Sequence, residues 1–349
     1  MEIPWGRIME TIKFISFTDI HISDVNPQSR NGSYRDDILN KLDQIRVVGE
    51  KLKVDFFLCA GDLYNLKAPM RNSHALNKML IDLFKSYPAP IFATEGNHDL
   101  RNDSYESFGE QPLSVIYSSG AFKQLRHHVF TKGDFSVTLR AFPFEEEPRL
   151  SSYSKADGTF NICMLHLYAT PEGGSLFRHK IFSYREIAEL GDDLFILGHY
   201  HIDQGIKVLN INDKSQYFVN IGAISRGSLE EDNLKRDPKF SLITLTKDGD
   251  EIKVSAQAVK LKVRPSSEVF NIEEKLVEEK RMQLTDTFIN SLNDALGKED
   301  DVKVLEDKIL SEDNIKEASS ETQLPLDRVI VDRARNYMRE ADLVIKGAV

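Results

Sequence analysis

Long apolar runs are missing from this sequence, and cysteine is nearly so. No apolar stretch approaches the ~20 residues of a membrane-spanning helix, so no membrane association is expected. The chain has 349 residues and only two cysteines, Cys59 and Cys163, each in an apolar, strand-like run. Two cysteines cannot form a disulfide framework. We expect both to be buried free thiols in a reducing compartment, and a single disulfide between them is the alternative.

An excess of positive charge is also lacking. The formal net charge is -10, which argues against a surface that is basic all round for nucleic acid. Residues 266–349 hold 12 Lys+Arg and 20 Asp+Glu, whereas residues 1–265 hold 33 and 35. The body is therefore near neutral and has room for a local basic groove. The first residues, MEIPWGRIME, do not have the pattern of a secretory signal, so a cytoplasmic protein is expected.

The first half of the chain alternates between apolar strands and amphipathic helices. The predicted strands are TIKFISFTD, VDFFLCAGD and APIFATEGNHD, and the predicted helices are YRDDILNKLDQIRVVGEKLK and NSHALNKMLIDLFKSY. This alternation predicts an α/β fold with a layered sheet that is buried on both faces. From about residue 127 short strands dominate, and KDGD is typical of a hairpin turn.

Three regions are predicted along the chain. Residues 1–204 form the α/β core, and residues 205–265 provide its last strands and a small β cap. The Arg264-Pro265 pair marks a break, and residues 266–349 form a helical C-terminal extension. Within this extension an apolar stripe with helical spacing is formed by Leu326, Val329, Ile330, Ala334 and Tyr337.

Residues of the types that bind metals stand at the ends of five predicted strands. They are Asp19 and His21, Asp62, Asn97, His166, and His199 with His201. In open α/β sheets the reactive groups collect at the carboxyl ends of strands, so these side chains are expected to meet. Each one alone has an ordinary interpretation as a turn, a helix cap or a hydrogen-bonded histidine. Their occurrence at five strand ends favours a shared metal site.

The donor types indicate which ions this site would take. Oxygen and nitrogen donors without a thiolate suit Mn²⁺, with Fe²⁺, Zn²⁺ and Mg²⁺ as alternatives. Seven donors are too many for one ion, but they suit two ions about 3.5–4 Å apart that share a carboxylate. Asp62 is the expected bridge, because it lies between the other strand ends in sequence.

The same residues carry a family resemblance. The motifs DIH, GD, GNHD, a lone histidine and GHYH, in this order across residues 12–225, resemble those of the calcineurin-like metallophosphoesterases. The resemblance implies a β-sandwich core flanked by helices and a two-metal phosphoester hydrolase. One metal would bind Asp19, His21, Asp62 and His201, and the other Asp62, Asn97, His166 and His199. His98 would be the general acid, and Asp99 would either hold the His98 ring or cap a helix.

Within this family the chain is most similar to the SbcD-type DNA repair nucleases, through DIHISD and VDFFLCAGDLYNLKAP. This similarity implies a DNA exonuclease or endonuclease subunit that dimerises through its core. Its C-terminal helices would dock on an SMC-like ATPase of the SbcC type. Archaeal and eukaryotic members have a histidine where this chain has Asn65, and that histidine is linked to positioning DNA for exonuclease cutting. Asn65 therefore favours a bacterial or phage origin.

Two other functions stay open at this point. One is a phosphodiesterase or phosphatase of the same family that acts on a small molecule. Such an enzyme has little use for a helical extension, so the extension disfavours this alternative. The other is a non-catalytic scaffold, which the complete set of candidate ligands disfavours. Arg30 and Arg35, near the start of the first helix, are candidates for phosphate contacts, with surface salt bridges as the alternative.

Overall fold

A computed structural model describes residues 10–27, 30–145, 148–154, 156–176, 179–211 and 214–271. The chain divides into two compact units, Met1–Ile272 and Glu273–Val349. The predicted helical extension, with its apolar stripe, therefore lies almost wholly outside the described residues. Among the residues that are described, no helix has the length and apolar character needed to cross a bilayer.

The described residues contain fifteen strands. They are β1 (Glu10–Phe17), β2 (Phe56–Cys59), β3 (Ile91–Ala93), β4 (Lys123–Gln124), β5 (His127–Lys132), β6 (Phe135–Phe142), β7 (Asn161–His166), β8 (Ala169–Thr170), β9 (Gly174–Leu176), β10 (His179–Ser183), β11 (Leu194–Gly198), β12 (Gly205–Ile211), β13 (Lys214–Asn220), β14 (Lys239–Asp248) and β15 (Glu251–Lys260).

The helices of the described part are mostly short. They are α1 (Tyr34–Leu52), α2 (His74–Lys85), α3 (Pro112–Ser118), α4 (Tyr184–Ala188), α5 (Glu231–Lys235) and α6 (Ser266–Val269). Short 3₁₀ helices span Pro69–Arg71, Asn97–Asp99, Arg101–Asp103, Tyr105–Glu110 and Leu150–Ser152. Helix α1 begins where the Ser33 side chain accepts the Asp36 N–H, and it ends where Lys53 adopts a left-handed conformation.

Two six-stranded sheets form the centre of the fold. The first has the order β15-β14-β1-β2-β3-β4, and the second has the order β12-β13-β11-β7-β6-β5. Strands β1 to β4 run parallel, as do β6, β7, β11 and β13. The KDGD turn joins β14 to β15 as an antiparallel hairpin, which confirms that prediction.

Alternating side chains of the first sheet bury both of its faces. Phe14, Phe56 and Leu58 pack against the second sheet, whereas Ile15 and Phe57 pack against helices α1 to α3. A third apolar layer lies between the second sheet, helix α4 and strand β10. The small sheet β8-β10-β9 lies on this outer side. The predicted layered α/β fold is therefore confirmed.

The segment 205–265, predicted to provide the last core strands and a small β cap, contributes strands to both main sheets. Strands β12 and β13 extend the second sheet, and β14 and β15 extend the first, so these strands complete the two main layers. Besides its hairpin neighbour β12, strand β13 pairs with β11. Besides β15, strand β14 pairs with β1, which joins distant parts of the chain. The first unit also continues past Arg264-Pro265, because Phe270 forms a β-bridge with Arg30.

The two cysteines lie in different layers. Cys59 belongs to the apolar layer beside the helices, and Cys163 belongs to the outer layer of the second sheet. Both are buried and free, as predicted.

Candidate metal centre

The carboxyl ends of five parallel strands meet at one edge of the two sheets. Asp19 follows β1, Asp62 follows β2, and Asn97 follows β3. From the second sheet, His166 is the last residue of β7, and His199 directly follows β11. Parallel pairing brings these ends together, which is why residues far apart in sequence become neighbours.

A first group of possible ligand atoms comes from Asp19, His21, Asp62 and His201, all within 4.8 Å of one another. The His201 Nε2 atom lies 3.5 Å from an Asp19 carboxylate oxygen. The His21 Nε2 atom lies 3.0 Å from the His201 Nε2 atom and 3.4 Å from Asp62 Oδ2. Two imidazole nitrogens and two carboxylates thus point at one small volume.

A second group of possible ligand atoms comes from Asp62, His166 and His199. The Asn97 side chain joins it, because its Oδ1 atom lies 2.9 Å from His199 Nδ1 and 3.3 Å from His166 Nε2. All seven side chains predicted from the sequence are therefore brought together, in the two sets that the family resemblance implied.

Asp62 is the residue common to both groups. Its Oδ2 atom lies 3.4 Å from Nε2 of His21 on one side and of His166 on the other. This buried oxygen has no hydrogen-bond partner among the described residues, and neither does His21 Nδ1. A buried carboxylate oxygen without a partner, set between two clusters of nitrogen and oxygen donors, fits a pair of divalent cations sharing one ligand.

Four residues at this edge have a left-handed backbone conformation. Asp19, His21, Asp62 and His199 have positive φ angles of 52°, 47°, 54° and 85°. Such angles are uncommon outside glycine and concentrate at functional sites. The surrounding sheets hold these four residues in place and aim their side chains inward.

Ionisation in the two groups is controlled by burial and by neighbouring charge. Burial lowers the pKa of His21 and of His199 to about 3, so both rings are neutral at neutral pH, the form that binds metals. Burial opposes ionisation of Asp19, but the hydrogen bond and charge of His201 outweigh it and lower the Asp19 pKa to about 2. Burial likewise opposes protonation of His166, yet Asp62 raises the His166 pKa to about 9. A cation bound to Asp62 would replace that proton.

Backbone carbonyls orient two of the histidines. His166 Nδ1 lies 2.7 Å from the Ala60 carbonyl oxygen, which can only accept, so Nδ1 carries the hydrogen and Nε2 is left for a ligand. His98 Nδ1 lies 2.8 Å from the Asn65 carbonyl oxygen in the same way. These carbonyls could not be found from the sequence, since side-chain identity does not reveal where a backbone oxygen points.

His98 stands beside the two groups without belonging to either. Its backbone N–H donates to Asp62 Oδ1 at 2.8 Å, and its ring meets the His21 ring edge-on with centroids 4.6 Å apart. The ring is partly exposed, whereas Asp19, His21, Asp62 and His166 are buried. With Nδ1–H donating to the Asn65 carbonyl, Nε2 is the ring atom left for a bound substrate, and in the doubly protonated ring its N–H can supply a proton.

Asp99 does not hold the His98 ring. Its buried carboxylate accepts backbone N–H groups of Leu63 (3.1 Å), Tyr64 (3.3 Å) and Gly96 (3.1 Å). Burial, and then the charge of Asp62, raises the Asp99 pKa to about 7. The capping alternative is therefore the better interpretation, and Asp99 also ties the loop after β2 to the loop after β3.

Glycines allow the loops to approach one another closely. A Cβ atom at Gly96 would lie 2.1 Å from Asp62 Oδ1 and 2.6 Å from His166 Cε1. A Cβ atom at Gly198 would lie 2.4 Å from the Ala60 carbonyl oxygen. Both positions exclude any larger residue unless the loops move.

Replacing Gly96 with alanine is expected to displace the Asp62 carboxylate and reduce metal binding. The clash should also lower the free energy of unfolding by about 1–3 kcal/mol, as overpacking does elsewhere. Metal content and thermal denaturation are the measurements. Gly109→Ala is the matched control, because its Cβ meets nothing within 4 Å. A Gly96→Ala protein with normal metal content and stability would show that the loops do not pack as described.

Comparison with known proteins was made by sequence and by structure. A family model described as calcineurin-like phosphoesterase matches residues 12–203, which is more than half of the chain. Among curated proteins, none matches this sequence.

Solved structures similar to this chain share little sequence with it. A Staphylococcus aureus protein described as a candidate 5'-nucleotidase, in complex with alpha-ketoglutarate, is 16% identical with a TM-score of 0.47; 79% of this chain aligns with 58% of that one. The calcineurin-like phosphoesterase YfkN from Bacillus subtilis is 13% identical with a TM-score of 0.47, and 74% of this chain aligns with 94% of that one. A dimetal phosphatase from Danio rerio is 13% identical with a TM-score of 0.42, and 72% of this chain aligns with 99% of that one. This chain thus spans less than two thirds of the first of these proteins.

Proposed function

Because the chain belongs to the calcineurin-like phosphoesterase family, whose members use a dinuclear metal centre, we propose that it is a metal-dependent phosphodiesterase that cuts DNA. The observation that carries the hydrolytic part is the position of Asp62. Its Oδ2 atom stands between two donor groups, and its Oδ1 atom accepts the backbone N–H of His98.

The residues have separate roles in this proposal. Asp19, His21, Asp62 and His201 hold one cation, and Asp62, Asn97, His166 and His199 hold the other. Two bound cations supply an activated water and neutralise charge on the phosphoryl group. His98 protonates the departing oxygen, with the Asn65 carbonyl keeping its Nε2 atom directed outward. Asp99 positions the two loops that carry Asp62 and Asn97.

Manganese is the proposed native metal. The donors are imidazole nitrogens, carboxylates and one amide oxygen, without a thiolate, and Mn²⁺ accepts this mixture. Fe²⁺, Zn²⁺ and Mg²⁺ are the alternatives. Metal analysis of the purified protein, followed by activity measurements with each ion after chelation, distinguishes them.

DNA is the proposed substrate because the chain resembles SbcD-type nucleases, and the cleavage mode is open where Asn65 replaces the family histidine. Hydrolysis of a small phosphoester is the second candidate, and the net charge of -10 favours it. The test is an Mn²⁺-dependent assay on duplex DNA, single-stranded DNA and a chromogenic phosphodiester, with Asp62→Asn as control. Cleavage of the small ester alone would refute the DNA proposal, and no hydrolysis of any substrate would favour a scaffold.

The predicted partner is an SMC-like ATPase of the SbcC type, bound through the C-terminal helices, and the core is proposed to form a homodimer. Truncation after residue 272 is expected to abolish ATPase binding. It should spare Mn²⁺-dependent hydrolysis of a small phosphodiester, because the metal centre lies within the first unit. Pull-down with the ATPase and the chromogenic assay are the two measurements. Sedimentation of the same proteins tests the dimer.

A matched pair of full-length variants makes this partner test specific. Leu326→Asp places a charge on the predicted apolar stripe and should weaken ATPase binding, whereas Asp327→Ala, off the stripe, should not. The docking proposal fails if the truncated chain still binds the ATPase.

A further inference from the structure

A cavity beside helix α1 carries an excess of positive charge. Its volume is about 540 Å³, and five cationic and two acidic side chains line it. The chain as a whole has a net charge of -10, so the cavity has the opposite sign to the protein. None of the proposed metal ligands lines it. It is therefore a second charged site, distinct from the metal centre.

Three of the cations are buried in the protein rather than extended into solvent. Arg30, Lys41 and Arg226 are only 7%, 3% and 4% exposed. The Lys41 Nζ atom donates to the Ile224 carbonyl at 2.8 Å. Arg226 donates to Ser266 Oγ at 3.2 Å and to the Arg264 carbonyl at 2.7 Å. In the part of the chain that the structure describes, neither Lys41 nor Arg226 has a carboxylate partner.

Some N–H groups of the two buried guanidinium groups have no hydrogen-bond acceptor among the described residues. Arg30 Nε, Arg30 Nη1 and Arg226 Nε are buried and find no acceptor among the described residues. Arg30 pairs with Asp37 through Nη2, and Asp37 also accepts from Arg264 at 2.9 Å. One carboxylate is therefore divided between two guanidinium groups. Arg35, by contrast, is more exposed and pairs with Asp24 and Asp36, as its salt-bridge interpretation predicted.

Buried cations without counter-charges are costly, and these repel one another. Burial, and then the charges of Arg30 and Arg236, lowers the pKa of Arg226 to about 10. Burial, and then Arg226 and Arg30, also lowers the pKa of Lys41 well below its usual value. An anion in the cavity would relieve the repulsion and satisfy the free donors.

We propose that this cavity binds a phosphate group through Arg30, Lys41 and Arg226. Guanidinium groups match the geometry of phosphate oxygens, and Lys41 adds a point charge. The group has two sources: a backbone phosphate of a bound nucleic-acid strand, or free phosphate. Hydrogen bonds connect the surroundings of this cavity to the loop of the metal centre. Ser225, which precedes Arg226, donates its N–H to the Asp19 carbonyl at 3.3 Å, and Tyr34 Oη donates to the His21 carbonyl at 2.9 Å. This connection supports the backbone phosphate of a bound strand as the source.

Inorganic phosphate is the probe. It is titrated calorimetrically into the full-length, metal-loaded wild type and into Arg226→Gln, Lys41→Met and Arg46→Gln. Arg46 is the control, because it lies on the same helix but is paired at the surface with Asp43 and Glu50. The first two variants should lose affinity by roughly tenfold to a hundredfold, the scale of a charged hydrogen bond. A phosphate signal common to all four proteins belongs to the metal centre.

A second measurement identifies the source. If a backbone phosphate is the occupant, the KM for a short oligonucleotide should rise by the same factor in Arg226→Gln and Lys41→Met. An unchanged KM, together with the lost phosphate affinity, assigns the site to free phosphate. Equal phosphate affinity in all four proteins would overturn the proposal. If Arg226→Gln does not fold, the phosphate affinity of Lys41→Met alone tests the proposal. Failure to cleave DNA would refute the proposed nuclease and leave the calorimetric result standing.

Discussion

Asp62→Asn should abolish metal loading and hydrolysis together. The substitution keeps the shape of the side chain and the Oδ1 acceptor for the His98 N–H, but it removes the charge shared by the two donor groups. Turnover should fall by roughly 10³-fold or more, at or above the upper end for loss of one electrostatic group in an active site. Metal content by mass spectrometry and turnover of a phosphodiester are measured on the same preparation.

The control for this experiment is Asp82→Asn. Asp82 is exposed on helix α2 and pairs only with Lys78 among the described residues, so its loss should change neither measurement. Retention of two metal ions and a normal rate by Asp62→Asn would rule out a shared ligand at this position. Loss of one ion only would indicate that Asp62 belongs to a single group.

His98→Ala should separate chemistry from metal binding. His98 is not in either donor group, so the metal content should stay at the wild-type level. Without the proton donor, kcat for an alkoxide leaving group should fall by about 10²- to 10⁴-fold. A chromogenic ester with an acidic phenol as its leaving group needs little protonation and should lose far less. The ratio of the two losses is the diagnostic measurement.

His74→Ala serves as the matched control, since His74 is an exposed histidine at the start of helix α2. Its rates on both esters should equal those of the wild type. If His98→Ala slows both esters equally, the ring positions the substrate instead of donating a proton. If it slows neither, His98 has no catalytic role.

The elements that could be predicted from the sequence are those whose local pattern is strong. Helices α1 and α2 have regular apolar stripes, strands β2, β7 and β11 are buried along their whole length, and strand β1 is buried over its second half. Strand β5 has no strand pattern in its sequence, because five of its six residues are exposed and no alternation marks it. The placement of β12 to β15 could not be predicted, since a strand's sequence does not identify a partner far along the chain.

The site, like the fold, has parts that the sequence predicts and parts that depend on contacts between distant segments. Its side chains are of rare types at strand ends, so Asp62 or His199 can be selected from the sequence. The supporting contacts are made by backbone atoms, such as the Ala60 and Asn65 carbonyls, or by a residue that looks like an ordinary cap, such as Asp99. Those depend on loop geometry, which is determined only when all five strands have assembled.

The pairing of β14 with β1 has a consequence for how the protein matures. Ser16 and Ser241 are paired although 225 residues separate them, and the Ile224 and Ser225 N–H groups close the loop that carries Asp19. Contacts of such long range are slow to form. On the ribosome, the first ligand-bearing loop emerges long before the segments that fix its shape. Ion uptake therefore has to await synthesis of nearly the whole first unit.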